Sequence, residues 1–446
     1  MGGINKMELQ TAKGVRDIPP AEKSLKNQIV KTLTGVFELY GFQPLETPIL
    51  ERYETLAAKF AAGEESDALK ETFKLKDQGD RDLGLRFDLT VPLARFIAMN
   101  PTLKMPFKRY EIGRVFRDGP IKLGRYREFW QCDADIVGSP SLLADAECMS
   151  VIDTAFKTLD LPIIIKVNNR KLLNGILGQA GMDKRTEAIV ALDKLDKIGA
   201  DGVAKELEQR GYTNLQISKV LSLVQENVTL NQLKKSLTTE EGREGIAELE
   251  ELFRYCRSMK ITSFRFDASL ARGLAYYTGT VFEAYLKKSK ITSSLAAGGR
   301  WDAMIGKFLG GNRDIPAVGF SFGLEPLMDA LKLENKVPLK PSVTVYVLPI
   351  GTEKESLQLV QELRTQGIPA SMALGKKGVS KNLEYASTLG IPYVAILGED
   401  ELKKKKVLLR DMRSGMEQLL AVKSIIQKLK IWKIKIPTAS SGVLKK

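Results

Sequence analysis

At 446 residues, 43% of them hydrophobic and 27% charged, the chain reads as a globular protein of roughly two to four domains, and no apolar run nears the roughly 18 residues of a membrane span. It contains no histidine, which excludes serine triads, imidazole metal sites and histidine general bases and leaves arginine, carboxylates, tyrosine and lysine to carry any chemistry. The net charge of +14 is unevenly spread: residues 402–446 hold 13 Lys/Arg against two acids, a basic pole that suits either a polyanionic partner or a solubilising tail.

Residues 1–7 lack the apolar core of a secretory signal and the Arg-rich character of a transit peptide, so a cytoplasmic protein is expected. After Pro19-Pro20, the residues Leu25, Ile29, Leu33, Val36 and Tyr40 share one helical face, and Gly41 stands where a helix end favours glycine. Pro44 and Pro48 make 42–50 extended and irregular, and a second helix is expected around 51–62. From Leu83 to Leu89 apolar residues alternate with Arg86, Asp88 and Thr90, the pattern of a strand with one core face.

Residues 107–117 and 125–137 read as two strands of an antiparallel hairpin joined around Gly119, Pro120 and Gly124. On the second strand Arg125, Arg127, Gln131, Asp133 and Asp135 share one parity, and such a charged face is costly unless wet or ligand-bound. Residues 142–159 suggest a helix and 163–167 a strand. The polar helical stretch 171–258, without strand signals, suggests an inserted helical subdomain.

Strands return at 261–266, 278–285 and 318–322, the last leading into a helix through Leu331. Gly298-Gly299 would ordinarily make a turn. After a Lys/Pro linker at 334–341, a strand (343–348), a helix (353–365), a strand (370–373), a helix (380–389) and a strand (393–397) alternate as in a small α/β domain. Cys132, Cys148 and Cys256 lie far apart and offer no pair for zinc or redox chemistry, so they read as packing residues.

Several short motifs gain specificity by occurring together. Glu46-Thr-Pro-Ile-Leu-Glu51 resembles the proline-centred first motif of class II aminoacyl-tRNA synthetases; Val115-Phe-Arg-Asp118 with Gly124-Arg-Tyr-Arg-Glu-Phe129 resembles the second, and Gly319-Phe-Ser-Phe-Gly-Leu-Glu325 the third. Within that class, Ala271-Arg-Gly-Leu-Ala-Tyr-Tyr-Thr-Gly-Thr-Val-Phe-Glu283 and Ala297-Gly-Gly-Arg-Trp-Asp302 resemble the two signatures of histidyl-tRNA synthetases. The resemblance spans about residues 8 to 430 in the family's order. The chain departs from it at Pro326, where the third motif usually ends in arginine, at Ala275, and at Gly119, with Asp118 the nearest acid.

The resemblance implies an α+β protein: a class II antiparallel sheet flanked by helices, with a helical insertion and a C-terminal α/β anticodon-binding domain. The implied division is a catalytic core in two parts (8–168 and 261–333) around the insertion (169–260), then the anticodon-binding domain (341–430) and a basic tail (431–446). It implies ATP-dependent activation of L-histidine to the adenylate and transfer to the 3′ end of tRNA(His) by a homodimer. Arg117 corresponds to the arginine that holds the ATP α-phosphate and Arg125 to the one reaching the outer phosphates. Arg272 corresponds to the arginine that bridges the α-phosphate and the histidine carboxylate. Asp88, Thr90 and Gln131 match positions that hold the substrate amino group. Asp135 and Tyr277 match positions that read the imidazole, and Tyr276 lines the same pocket. Mg²⁺ would sit between the outer phosphates and a carboxylate, Glu283 or Glu325.

Without the resemblance, Asp88 and Asp135 read more readily as salt-bridge residues and the two tyrosines as core aromatics. A non-catalytic histidine-sensing relative, such as the regulatory subunit of ATP phosphoribosyltransferase, is the principal alternative; the arginine set and the C-terminal domain argue for the enzyme. Class II enzymes for proline, threonine or glycine are disfavoured by the Arg-Gly-Leu-Ala-Tyr-Tyr segment, and a bare RNA-binding module leaves the arginines unexplained.

Overall fold

The computed structural model describes residues 9–58, 67–121, 126–273, 276–310, 314–334, 343–375 and 377–435. The chain divides into two compact units, Met1–Val337 and Pro338–Lys446. In chain order, the elements of the first that bear on function are α1 (Pro20–Leu39), β1 (Gln43–Pro44), α2 (Thr90–Met99), β2 (Phe107–Phe116), β3 (Glu128–Val137), α3 (Leu142–Thr158), β4 (Ile163–Asn169), β5 (Phe264–Phe266), β6 (Thr280–Leu286), β7 (Ala296–Arg300), β8 (Ala317–Gly323) and α4 (Leu324–Leu333). The strands form one sheet in the order β1-β2-β3-β8-β7-β6-β4-β5, antiparallel except for the pairs β1·β2 and β4·β5.

Alternation along the strands gives this sheet two different faces. Cys132, Ala134 and Ile136 of β3 and Phe320 and Phe322 of β8 turn into a core roofed by α1 and α3, with the Phe37 ring 5.3 Å from that of Tyr110 and 6.1 Å from that of Phe322. Gln131, Asp133 and Asp135 turn the other way, towards a cavity. The apolar face read for α1 is the buried one, and the helix ends at Gly41 with φ +75°, a left-handed backbone that glycine adopts without strain. Tyr40, at its C-cap, is half-buried and hydrogen-bonds the hydroxyls of Ser150 and Thr154 on α3.

The stretch 83–89 is not one strand. The strand Asp82–Leu85 ends in a bend, Asp88 Oδ1 accepts hydrogen bonds from the backbone N–H groups of Thr90 and Val91, and Thr90 opens α2 with Pro92 in its first turn. The helix-start chemistry of an aspartate followed by a first-turn proline outweighs the local alternation. Gly298-Gly299 likewise lies inside β7 and makes no turn: a Cβ on Gly298 would come within 2.2 Å of the Gly319 carbonyl oxygen, so glycine permits the close approach of β7 and β8. The helix expected at 51–62 begins later, as Tyr53–Ala58, because Glu51 belongs to the strand Leu50–Arg52; residues 59–66 lie outside the described ones.

Between β4 and β5 the chain forms six helices, from Arg170 to Ser258. All three cysteines are buried, and burial pushes each thiol up, Cys256 to about 12, which leaves none as a reactive thiolate. Among the described residues no helix is long and apolar enough to cross a membrane.

The second unit contains β9 (Val345–Ile350), α5 (Glu353–Thr365), β10 (Ala370–Met372), α6 (Val379–Thr388), β11 (Tyr393–Gly398), β12 (Val407–Asp411), β13 (Glu417–Leu420) and α7 (Val422–Lys435). Its sheet runs β10-β9-β11-β12-β13, with β9 parallel to both neighbours and the β11·β12 and β12·β13 pairs antiparallel. Sequence periodicity does not mark the β12–β13 hairpin, nor the lysine-rich α7. Ile425 and Leu429 nevertheless bury themselves in the core of this unit, and α7 runs through position 431, where the basic tail was expected to begin.

Candidate active site

The cavity, about 430 Å³, opens on the polar face of the sheet. Its floor follows from strand register. Gln131, Asp133 and Asp135 of β3 stand opposite Gly323, Ser321 and Gly319 of β8, and opposite Gly113, Glu111 and Arg109 of β2. A Cβ on Gly319 would lie 1.8 Å from Asp135 Oδ1, so this glycine of the third motif provides the volume that the Asp135 carboxylate occupies.

Beneath the floor lies a buried ion network. Arg109, wholly buried, reaches Asp135 at 2.8 Å and Glu111 at 3.8 Å, and donates to the Leu89 carbonyl. Glu111 also accepts from Arg86 (2.8 Å) and from the backbone and side chain of Thr47, which ties the first motif to β2. The Trp301 indole donates to Asp135 as well. Burial raises the Asp135 carboxyl to about 6, with Arg109 and Trp301 opposing the rise. For Asp133 burial is less well opposed, and its carboxyl is pushed up to about 8.

The walls carry the arginines. Arg117, just past the end of β2, lies against the rings of Phe87 (4.2 Å) and Phe129 (5.0 Å) and points its Nε at the Phe87 carbonyl. Arg272 donates to Glu283 at 2.5 Å and sits 5.5 Å from the centre of the Tyr277 ring. Burial works against its cation, but Tyr277 and Glu283 outweigh that and hold its pKa above the ordinary arginine range. The Tyr276 and Tyr277 rings are tilted by 42° with centroids 4.5 Å apart, and burial raises the Tyr276 phenol to about 12.

Of the residues singled out in the sequence, Asp88, Thr90, Arg117, Gln131, Asp135, Arg272, Tyr276 and Tyr277 all line this one cavity. Arg125 lies outside the described residues. The two carboxylates weighed as metal ligands differ in setting. Glu283 is at Arg272, whereas Glu325 accepts from the Trp130 backbone N–H and lies 4.0 Å from the buried ammonium of Lys26. Lys26 in turn lies 4.0 Å above the Trp130 ring, and burial lowers it to about 8. Among the described residues no group of three or more Cys, Asp or Glu could hold a metal ion.

Sequence reasoning left out three contributors. Asp133 shares the parity of Gln131 and Asp135 and could have been included on that ground. Trp301 lies within a quoted signature without a role, and only its contact with Asp135 supplies one. Arg109 sits among ordinary alternating residues of β2, where no local signal marks a guanidinium destined for full burial.

In the second unit, Lys403 ends a short helix and approaches Asp400 at 3.7 Å, while Lys404, Lys405 and Lys406 are exposed. This run projects positive charge into solvent and is open to a polyanion.

Comparison with known proteins adds an independent line. A family model described as histidyl-tRNA synthetase matches residues 14–327, and one described as anticodon binding domain matches residues 344–432. The chain is 44% identical to the Histidine--tRNA ligase 1 of Bacillus cereus over 425 residues, 94% of this chain and 97% of that one. A crystal structure of histidyl-tRNA synthetase from Nostoc aligns with a TM-score of 0.82 at 32% identity, covering 96% of this chain and 100% of that one. A structure from Bacillus halodurans, described as an ATP phosphoribosyltransferase regulatory subunit/histidyl-tRNA synthetase, aligns with a TM-score of 0.71 over 88% of this chain and 98% of that one. At 23% identity that likeness speaks for the fold alone.

Proposed function

The chain belongs to the histidyl-tRNA synthetase family, and we propose from this and from the cavity that it activates L-histidine with ATP and transfers the histidyl group to the 3′ end of tRNA(His). The observation that carries the reading is that Arg117 and Arg272, 155 positions apart in the sequence, meet over one acidic floor. A cavity with guanidinium forks at one end and carboxylates at the other suits a zwitterionic amino acid lying against a triphosphate.

In this reading the substrate carboxylate is the nucleophile, so no protein base is needed and the missing histidines are no obstacle. The carboxylate attacks the α-phosphorus, pyrophosphate leaves, and the developing charge falls where Arg117 and Arg272 stand. Arg125 reaches the outer phosphates. Asp88, Thr90 and Gln131 hold the amino group. Asp135, oriented by Arg109 and Trp301, accepts a hydrogen bond from the imidazole, with Tyr277 beside it and Tyr276 closing the pocket. Mg²⁺ would neutralise the outer phosphates; such an ion keeps most of its waters and takes one or two carboxylates, and Glu283 at the Arg272 side suits it better than Glu325, which is engaged behind the sheet.

The remaining assignments belong to the same proposal. Residues 8–168 and 261–333 form the catalytic core around the insertion 169–260, and 341–430 with its exposed lysines binds the anticodon stem through phosphate contacts. The first motif, 46–51, contributes to a homodimer, and the protein works in the cytoplasm. The sensor alternative would have no use for two arginines at the phosphate end of the cavity.

The test is ATP–pyrophosphate exchange with each of the twenty amino acids. Exchange with histidine alone is expected; exchange with none, under conditions where histidine binds, would make the chain a sensor. A second expectation concerns Gly319→Ala. The added methyl displaces the Asp135 carboxylate, and a misplacement of about 1 Å lowers kcat/KM for histidine by roughly 10²-fold. Unchanged steady-state kinetics in that variant would remove Asp135 from imidazole recognition.

A further inference from the structure

Asp133 stands between Gln131 and Asp135 on the cavity face of β3, yet it is met differently from both. It is 4% exposed, it lines the cavity, and its Oδ1 has no hydrogen-bond partner among the described residues. The groups around it can be taken element by element. On β2, Glu111 stands directly opposite, a like-charge cross-strand pair, while Arg109 pairs with Asp135 and offsets only part of the burial of Asp133, which the Asp135 charge reinforces. On β8 its opposite neighbour is the Ser321 hydroxyl, which hydrogen-bonds the Asp133 carboxyl and accepts from Gln131, leaving Oδ1 unmet. Asp88, before α2, and Tyr276, before β6, act on it through space. The nearby cations are spoken for, Arg86 by Glu111 and Arg272 by Glu283. Beside Asp133, the Oε1 of Gln131 is a second buried acceptor with no donor among the described residues.

Two adjacent acceptors held by one rigid strand and facing the same cavity describe a site for a compact, multiply donating cation. A buried acceptor left unmet is costly, more so when charged, so the free protein has a strong reason to keep the carboxyl neutral. We propose that Asp133 joins Asp88 as a second counter-ion of the substrate's α-ammonium group: its carboxyl carries a proton in the free protein, and the ammonium displaces that proton on binding. The O–H bond of Asp133 breaks, its proton passes to solvent, and an N–H···O⁻ contact takes its place, with Gln131 Oε1 accepting a second N–H. The raised carboxyl pKa of about 8 keeps the proton in place at neutral pH. This assignment rests on the reading of the cavity as a histidine site and deepens it. It makes recognition of the ammonium a proton exchange that a ligand without a cationic amine cannot drive.

Isothermal titration calorimetry on the full chain tests this. L-histidine is titrated at pH 7 in phosphate and in Tris, whose ionisation heats differ, for the wild type and for Asp133→Asn. The wild type is expected to release about 0.9 proton more per histidine than the variant, the protonated fraction at pH 7 of a group titrating at about 8. The variant, an isosteric neutral replacement, should keep its melting temperature and bind histidine roughly 10- to 100-fold more weakly, the usual range for losing a charged hydrogen bond. The des-amino ligand 3-(imidazol-4-yl)propionate provides a second readout on the wild type alone and should bind without that proton release. Equal proton counts in the two proteins overturn the assignment. So does release that persists with the des-amino ligand, since the titrating proton would then belong to imidazole recognition. Absence of any histidine binding to the wild type is a distinct result, and it removes the histidine site together with this role for Asp133.

Discussion

Arg272→Ala is expected to lower histidine-dependent ATP–pyrophosphate exchange by roughly 10² or more, the scale on which removing one preorganised donor at a developing charge acts. The side chain is held for this task. Glu283 fixes one nitrogen at 2.5 Å and Tyr277 stacks near the guanidinium, so the fork loses little entropy when the nucleotide arrives. The substitution removes a cation and leaves Glu283 beside the triphosphate, so repulsion adds to the lost attraction. Arg272→Lys should recover only part of the rate, because an ammonium restores the charge without the two-pronged geometry. Stopped exchange kinetics with saturating histidine separate the two effects. Near-wild-type exchange in the alanine variant would take Arg272 out of the chemistry.

Arg109→Met is expected to destabilise the first unit by about 3–5 kcal/mol, the usual consequence of removing one partner from a buried ion pair. Methionine keeps most of the volume, so the loss reads the charge and not a cavity. Arg109 is fully buried and is the cation beside Asp135; Glu111 retains Arg86. The pH dependence has a definite sign. The Asp135 carboxyl is already raised to about 6 in the folded protein and rises further without the guanidinium. An acid whose folded pKa exceeds its unfolded value favours the folded state below the unfolded pKa, and that advantage is lost as pH rises through the folded pKa. The gap between wild type and variant should therefore be narrow at pH 5 and wide at pH 8, where the wild type keeps an ionised, paired Asp135 and the variant does not. Urea denaturation at the two pH values measures it. A midpoint that is unchanged, or a gap wider at pH 5, would show that the guanidinium is not what stabilises Asp135.

Local sequence determined a good deal by itself. The five-residue apolar stripe of α1, the hairpin of β2 and β3 and the alternation of the second unit were legible because helical and strand periods are properties of a segment and need no partner. The motifs around Arg117, Arg272 and Gly319 resembled a family because their residue types and order are written along the chain.

Tertiary structure decided the rest, for reasons that lie outside any one segment. Asp88 and Thr90 looked like alternate residues of a strand, and only the helix that begins at Thr90 brings the Thr90 and Val91 N–H groups to the Asp88 carboxylate. Gly298 and Gly299 looked like a turn until the close passage of β8 beside them required a strand without side chains. Arg109 was the least visible, and parity put Asp133 on the right face without its role, because what sets both apart is the neighbours they meet across the sheet. Cross-strand register places Arg109 opposite Asp135, and Asp133 opposite Glu111 and Ser321, pairings between residues as many as 188 positions apart. Burial then turns an ordinary aspartate into one that holds its proton at neutral pH, since charge is expensive where water is excluded and the Arg109 guanidinium, shared with Asp135, offsets only part of that cost.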